Sequence, residues 1–322
     1  MQVFRVRGIP VRIDVGWLLI VGLIAWSLAS GYFPHVLPSL SPAAYWLQGL
    51  VAALLLFASV LLHELAHALV ALRHGIPVGG ITLHIFGGVS QLDSEPETPR
   101  AELLIAVVGP LTSFGIAGLS HGVGRLLAEP SWADALAGYV AAVNLVVGLF
   151  NLVPAFPLDG GRVLRATLWA WTGRLESATR TATRIGSGFA LVMMALGIVR
   201  AISGDVVAGL WFALIGLFLL QAARSAYALQ RIRTRLAGLR TAQLMNTEPA
   251  ALESIGQVKR GSDQVVAPHD SAWQAFLKIA RNGRGRVAVV DEGSLVGVVT
   301  QRELRDVLTA RDGDSRVTPR AA

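Results

Sequence analysis

ASVLLHELAHALVAL, residues 58–72, sets His63, Glu64 and His67 inside a run that is otherwise apolar. On a helix, residues four apart differ by about 40° around the axis, so the two imidazoles share a face and can reach one ion. HELAH is thereby an HExxH motif, in which a histidine pair binds zinc and the glutamate is the general base of a hydrolase. The run is also long enough to cross a bilayer. An ionisable group at the centre of a span costs about 2.5–3.5 kcal/mol on insertion scales, which disfavours a chance triplet unless it faces an interior cavity.

The rest of the chain has the same oily character. Of 322 residues, 53% are hydrophobic and 15% charged, and the mean hydropathy is +0.55. That is an integral membrane protein, not a soluble domain. Cysteine is absent, so thiolate chemistry and disulfides are excluded and a metal site must be built from His, Asp or Glu. The formal charge of +7 does not point to nucleic acid, because the arginines cluster in loops and after the last apolar run, where they face anionic lipid and cytoplasm.

About six stretches reach the roughly 20 residues that a spanning helix needs: 15–33, 48–72, 101–126, 135–153, 184–201 and 205–223. The first is expected to be a retained helix, since no clean small-residue cleavage site follows it. Arginines precede span one, flank the loop after span two and follow spans four and six, whereas the alternate loops offer only Arg125 and Arg200. The positive-inside rule therefore predicts cytoplasmic N- and C-termini. Between spans two and three, Ile81, Leu83 and Ile85 alternate with Thr82, His84 and Phe86, which is strand periodicity. From about residue 240, a helix-like SAWQAFLKIARNG and a strand pair, RVAVVDEGSLVGVVT, indicate a small soluble domain.

A third ligand must come from outside the helix of HELAH. Val70 and Arg73 stand where the extended HExxHxxGxxH pattern needs Gly and His, and His74 is about 10 Å farther along the axis than His67. Glu95, Glu97 and Glu102 lie in or beside a loop expected to be watery. The stronger candidate is Asp159, in FNLVPAFPLDGGR, residues 150–162. Pro154 and Pro157 break the fourth helix there, and Gly160 and Gly161 permit unusual dihedrals. By topology, both HELAH and Asp159 fall in or beyond the cytoplasmic half of the membrane.

These residues resemble the site-2 protease family of intramembrane zinc metalloproteases. The likeness covers roughly residues 1–235 through HELAH, Gly109-Pro110 in the third span, and NLVPAFPLDGGR. It implies one Zn²⁺ per chain held by His63, His67 and Asp159, Glu64 as catalytic base, and Asn151 as the asparagine that holds substrate or oxyanion. The implied activity is endoproteolysis in or near transmembrane segments of a single-span membrane protein, as in regulated intramembrane proteolysis. A helical substrate must unwind first, and the strand 81–86 is expected to pair with it.

The tail resembles one CBS domain, best over VAVVDEGSLVGVVTQREL, residues 287–304. Many nucleotide-binding members carry Asp where Glu303 stands, which argues against adenine nucleotide, and a lone module is expected to pair across a homodimer. The expected architecture is an all-α polytopic membrane domain of about six helices with a short membrane-associated strand or hairpin (1–235), plus a small cytoplasmic α+β CBS-like domain with a flexible end (236–322). The competing reading is a non-catalytic membrane metal-binding protein or metal transporter, and a third is an inactive protease relative serving as a scaffold. Ligands spread over several depths would mark the transporter.

Overall fold

The computed structural model describes residues 2–38, 40–84, 87–92, 94–127, 131–248 and 264–309. Ile85 and Phe86 of the expected strand, and the expected flexible end beyond residue 309, lie outside the described residues. The chain divides into two compact units, Met1–Ala226 and Tyr227–Ala322.

The first unit opens with an antiparallel hairpin, β1 (Gln2–Val6) and β2 (Ile9–Ile13), turned by Arg7 and Gly8 at φ 47° and 87°. Helix α1 (Val15–Ser27) starts on Asp14, whose carboxylate accepts the Gly16 N–H, and continues through a π turn into α2 (Phe33–Val36). Then come α3 (Pro42–Arg73), β3 (Val78–His84), β4 (Gly87–Leu92), α4 (Pro99–Leu126) and α5 (Trp132–Asn151). Helices α6 (Asp159–Thr172), α7 (Leu175–Ile202) and α8 (Val206–Ala237) complete the set, α8 running past Ala226 into the second unit. Ser41, Thr98 and Ser131 cap α3, α4 and α5 with their hydroxyls, each satisfying a helix-end donor with no intrahelical partner.

Six helical stretches among the described residues are long and apolar enough to cross a membrane, α1 and α2 together forming the first. Their outward faces carry Leu19, Leu119, Val146 and Trp211 largely exposed. Such contiguous apolar surface suits lipid and not water. The spans are those expected from hydropathy, with several longer by a turn or more. Helix α6 was not anticipated; it is amphipathic and is not among the candidate spans.

The expected lone strand is one member of a four-stranded sheet in the order β1-β2-β3-β4. β3 pairs parallel to β2 (Val11↔Ile81) and antiparallel to β4 (Ile81↔Ser90), so it has no free edge among the described residues. The expectation that it receives an unwound substrate is therefore corrected: the open edge on that side is β4. Ile9, Val11 and Ile81 are buried, and the apolar Ile9, Val11 and Ile13 alternate as a half-buried strand requires. Arginines at 5, 7 and 12, read as topology signals, hid that alternation.

The second unit holds a three-stranded sheet of β5 (Val265–Val266), β6 (Arg286–Asp291) and β7 (Ser294–Thr300). Helices α9 (Ala272–Asn282) and α10 (Gln301–Thr309) pack on it. Ser271 caps α9, and Gly283 ends it in the left-handed region. Its core gathers Leu236, Leu244, Val266, Val287, Val289 and Val299.

Candidate metal centre

α3 and α4 run side by side, and a stripe of α4 residues four apart faces the histidine pair. At Ser113 the hydroxyl lies 3.0 Å from His63 Nδ1. At Ile105 the backbone carbonyl lies 2.5 Å from His67 Nδ1. Between them sits Gly109, where an added Cβ would come within 2.2 Å of His67 Nε2 and 2.6 Å of His63 Nε2. The lack of a side chain at Gly109 leaves room in front of both Nε2 atoms. The sequence reading of Gly109-Pro110 as a kink overlooked this, because a glycine in a span is usually a packing residue.

The third side is α6. Asp159 is its first residue, although the helix breakers at Pro154 and Pro157 and the glycines after it suggested irregular chain, so its carboxylate sits at the positive end of the helix dipole. Gly160 and Gly161 are helical; their use lies in close approach, since a Cβ on Gly160 would meet the Leu152 carbonyl oxygen at 2.2 Å and one on Gly161 would meet backbone of Ala155 and Phe156 at 2.8 Å. The bare first turn of α6 can thus press onto the 152–158 loop and carry Asp159 to the histidines. α5 ends at Asn151, ahead of Pro154, and the Phe156–Pro157 peptide is cis.

Asp159 Oδ2 lies 3.1 Å from His63 Nε2 and 3.1 Å from His67 Nε2. All three residues are buried, and their ligand atoms lie within 4.8 Å of one another. The Ile105 carbonyl can only accept, so His67 Nδ1 carries a proton and, in the neutral ring, Nε2 presents a lone pair. That lone pair points at carboxylate oxygen. Acceptors facing each other at this distance repel unless protons or a cation lie between them, and two imidazoles with one carboxylate form a borderline-soft N/O donor set suited to zinc. The contacts at Nδ1 fix the ring orientations as the outer partners of metal-binding histidines do.

The other expected residues fall elsewhere. Glu64 Oε2 accepts the Ser90 backbone N–H at 3.0 Å, and Ser90 Oγ donates to the Glu64 carbonyl at 3.0 Å, which ties Glu64 to β4. Asn151 donates its side-chain amide to the Val147 carbonyl of its own helix at 3.0 Å. Glu102 is corrected: it lies in the first turn of α4, 1% exposed, and its carboxylate takes the Arg165 Nε–H at 2.6 Å. It is neither watery nor free to reach a metal. Glu95, Glu97, His35, His74, His84, His121 and His269 also lie outside the cluster. Two partners escaped the sequence reading, Ser113 and the buried Asn144, whose amide donates to Ser59 Oγ across α3 and α5 at 3.0 Å.

Comparison with known proteins agrees with this chemistry. The model of Peptidase family M50 matches residues 51–138 and 127–195, and the CBS domain model matches residues 242–310. A Mycobacterium tuberculosis protein named as zinc metalloprotease Rip3 is 37% identical over 316 residues, covering 97% of this chain and 77% of the relative. Zinc metalloprotease MJ0392 of Methanocaldococcus jannaschii is 31% identical over 306 residues, covering 93% and 77%. Among solved structures, the site-2 protease from Methanocaldococcus jannaschii is 32% identical, covering 70% of this chain and 94% of its own, with a TM-score of 0.49. The chain therefore belongs to Peptidase family M50, the site-2 proteases, and is a multi-pass membrane zinc metalloprotease that carries a CBS domain.

Proposed function

We propose that His63, His67 and Asp159 hold the single zinc ion of this protease and that Glu64 is its general base. The observation that carries the assignment is the convergence of two Nε2 atoms and one carboxylate oxygen, each nitrogen 3.1 Å from that oxygen. Zinc in that position supplies a Lewis acid that acidifies water and polarises the scissile carbonyl. Glu64 takes the water proton on its carboxylate and hands it to the leaving amine. Asn151, at the end of α5, binds the substrate backbone or the oxyanion by exchanging its Val147 partner for a substrate carbonyl.

The substrate is a single-span membrane protein whose helix unwinds near the metal, because a helical carbonyl is already bonded within its own chain. An extended segment pairs along the outer edge of β4, where the Ser90 N–H turns away from β3 and toward Glu64. Both termini are cytoplasmic, in keeping with the arginine distribution. The protease domain spans 1–235 and the CBS-like domain 236–322, with the latter pairing in a homodimer. Adenine nucleotide is disfavoured there: the Glu303 carboxylate folds back onto the backbone N–H and hydroxyl of Thr300 as a helix cap.

Glu64→Gln tests the assignment. Purified in detergent, the variant is expected to keep stoichiometric zinc and to lose cleavage of every member of a panel of single-span substrates that the wild type cuts. Cleavage at the wild-type rate would end the case for Glu64 as base. The transporter reading needs donors at several depths; among the described residues, groups able to hold a metal come together at one place.

A further inference from the structure

Glu102 and Arg165 are a fully built ion pair inside the membrane unit, with side chains 1% and 11% exposed. Arg165 donates from Nε to Glu102 Oε1 at 2.6 Å, and its Nη2 lies against the same oxygen. The guanidinium carbon also sits 5.5 Å from the centroid of the Phe156 ring. Burying two charges is costly, and a well-packed apolar pair of similar volume often holds elements together as firmly. What apolar contacts do not supply is a fixed direction and register.

The two residues occupy telling positions. Glu102 precedes Ile105, the residue whose carbonyl orients His67, by three on α4. Arg165 follows Asp159 by six on α6, and Phe156 belongs to the loop that delivers Asp159. Contacts thus close a ring from Glu102 along α4 to Ile105, across to His67, across to Asp159, and along α6 to Arg165 and back. We propose that the Glu102–Arg165 pair is a positioning clamp that sets the height and rotation of α6 against α4, and so places the Asp159 carboxylate equally between the two imidazoles. The inference rests on the reading of His63, His67 and Asp159 as zinc ligands.

The test uses the full chain in detergent and three measurements: zinc affinity by competition with a chromophoric chelator, the visible spectrum of the cobalt(II)-substituted protein, and thermal unfolding of the metal-free protein. The informative variant is Glu102→Met with Arg165→Met, which replaces the charges with packed apolar side chains. Its metal-free unfolding midpoint is expected to stay within a few degrees of wild type, while zinc binds ~10–100-fold more weakly, the range seen when outer partners of metal ligands are lost. The cobalt band should shift and broaden. Arg165→Lys, which keeps the charge and loses the guanidinium fork, should fall between the two. A double variant with wild-type zinc affinity and an unchanged cobalt spectrum overturns the clamp and leaves the pair as a staple between helices. Should the double variant fail to fold, Glu102→Gln and Arg165→Lys are read by the same measurements, and wild-type affinity in both overturns it equally. Asp159→Asn and His67→Ala serve as references: if they bind zinc as tightly as wild type, the ligand reading itself has failed, an outcome distinct from failure of the clamp alone.

Discussion

Gly109→Ala adds one methyl group at the point where α4 passes the two Nε2 atoms. The built Cβ position is 2.2 Å from His67 Nε2 and 2.6 Å from His63 Nε2, so the methyl occupies the space in front of both imidazole nitrogens. Helix propensity favours alanine over glycine by about 1 kcal/mol, so the change should not harm the span itself. The expected outcome is loss of zinc binding by on the order of 100-fold or more, beyond the effect of losing an outer partner, with unchanged helical content by circular dichroism. Full zinc content in a folded Gly109→Ala protein would show that the metal sits elsewhere. Ser113→Ala is the milder companion: His63 loses its Nδ1 contact, and zinc affinity should fall ~10–100-fold. Chelator competition reads both. HELAH and Asp159 were legible in the sequence because ionisable groups in apolar runs are conspicuous. Ser113 and Gly109 were not, since a serine or glycine in a span reads as ordinary packing until its neighbour is known. Glu102 misled for the opposite reason: its polar flank, PETPRAE, suggested water, and only the fold reveals that Arg165 covers it.

At the scale of elements, β4 carries the next prediction. The Ser90 N–H is spent on Glu64, not on β3, so a proline at 90 removes a donor that the sheet does not use. Ser90→Pro should leave zinc bound while cutting cleavage at least ~10-fold, because Glu64 loses its tether and the proline ring crowds the strand edge. Ser90→Ala keeps the N–H and should cost much less. Equal activity in the two variants, measured on the same reconstituted substrate, would remove β4 from the substrate path. Elements were legible where the period was long. The six spans and α9, with its Ser271 cap and Gly283 stop, follow from pattern and capping chemistry. The β6–β7 hairpin was visible through Glu292-Gly293, whose residues adopt φ 43° and 93°. Arg7-Gly8 makes the same kind of turn, but strands of five residues beside a long apolar run carry too few alternations to stand out. α6 was hidden because its value lies in contact: a helix beginning Asp-Gly-Gly has poor intrinsic propensity and is secured by the surfaces that the two glycines allow it to approach.

Across the whole molecule, the metal centre has a depth as well as a geometry. His67 and His63 lie six and ten residues before the end of α3 at Arg73, or ~9–15 Å along the axis at 1.5 Å per residue. Water must therefore reach the centre from the side on which α3 ends, the same side on which α5 ends and α6 begins. The proposed cytoplasmic orientation of that side rests on the arginines, with Arg162, Arg165, Arg174, Arg180 and Arg184 gathered around α6 and the start of α7, against Arg200 alone in the last turn of α7. The absence of cysteine makes this directly measurable, since a single introduced thiol is then the sole site of maleimide labelling. Glu176→Cys, at the start of α7, and Ser203→Cys, just past its end, are both at exposed positions. In intact cells a membrane-impermeant maleimide should label Ser203→Cys and spare Glu176→Cys until the membrane is opened. The reverse pattern would put the metal centre near the outer surface, the proteolytic water would then enter from outside, and the substrate would have to unwind at its external end.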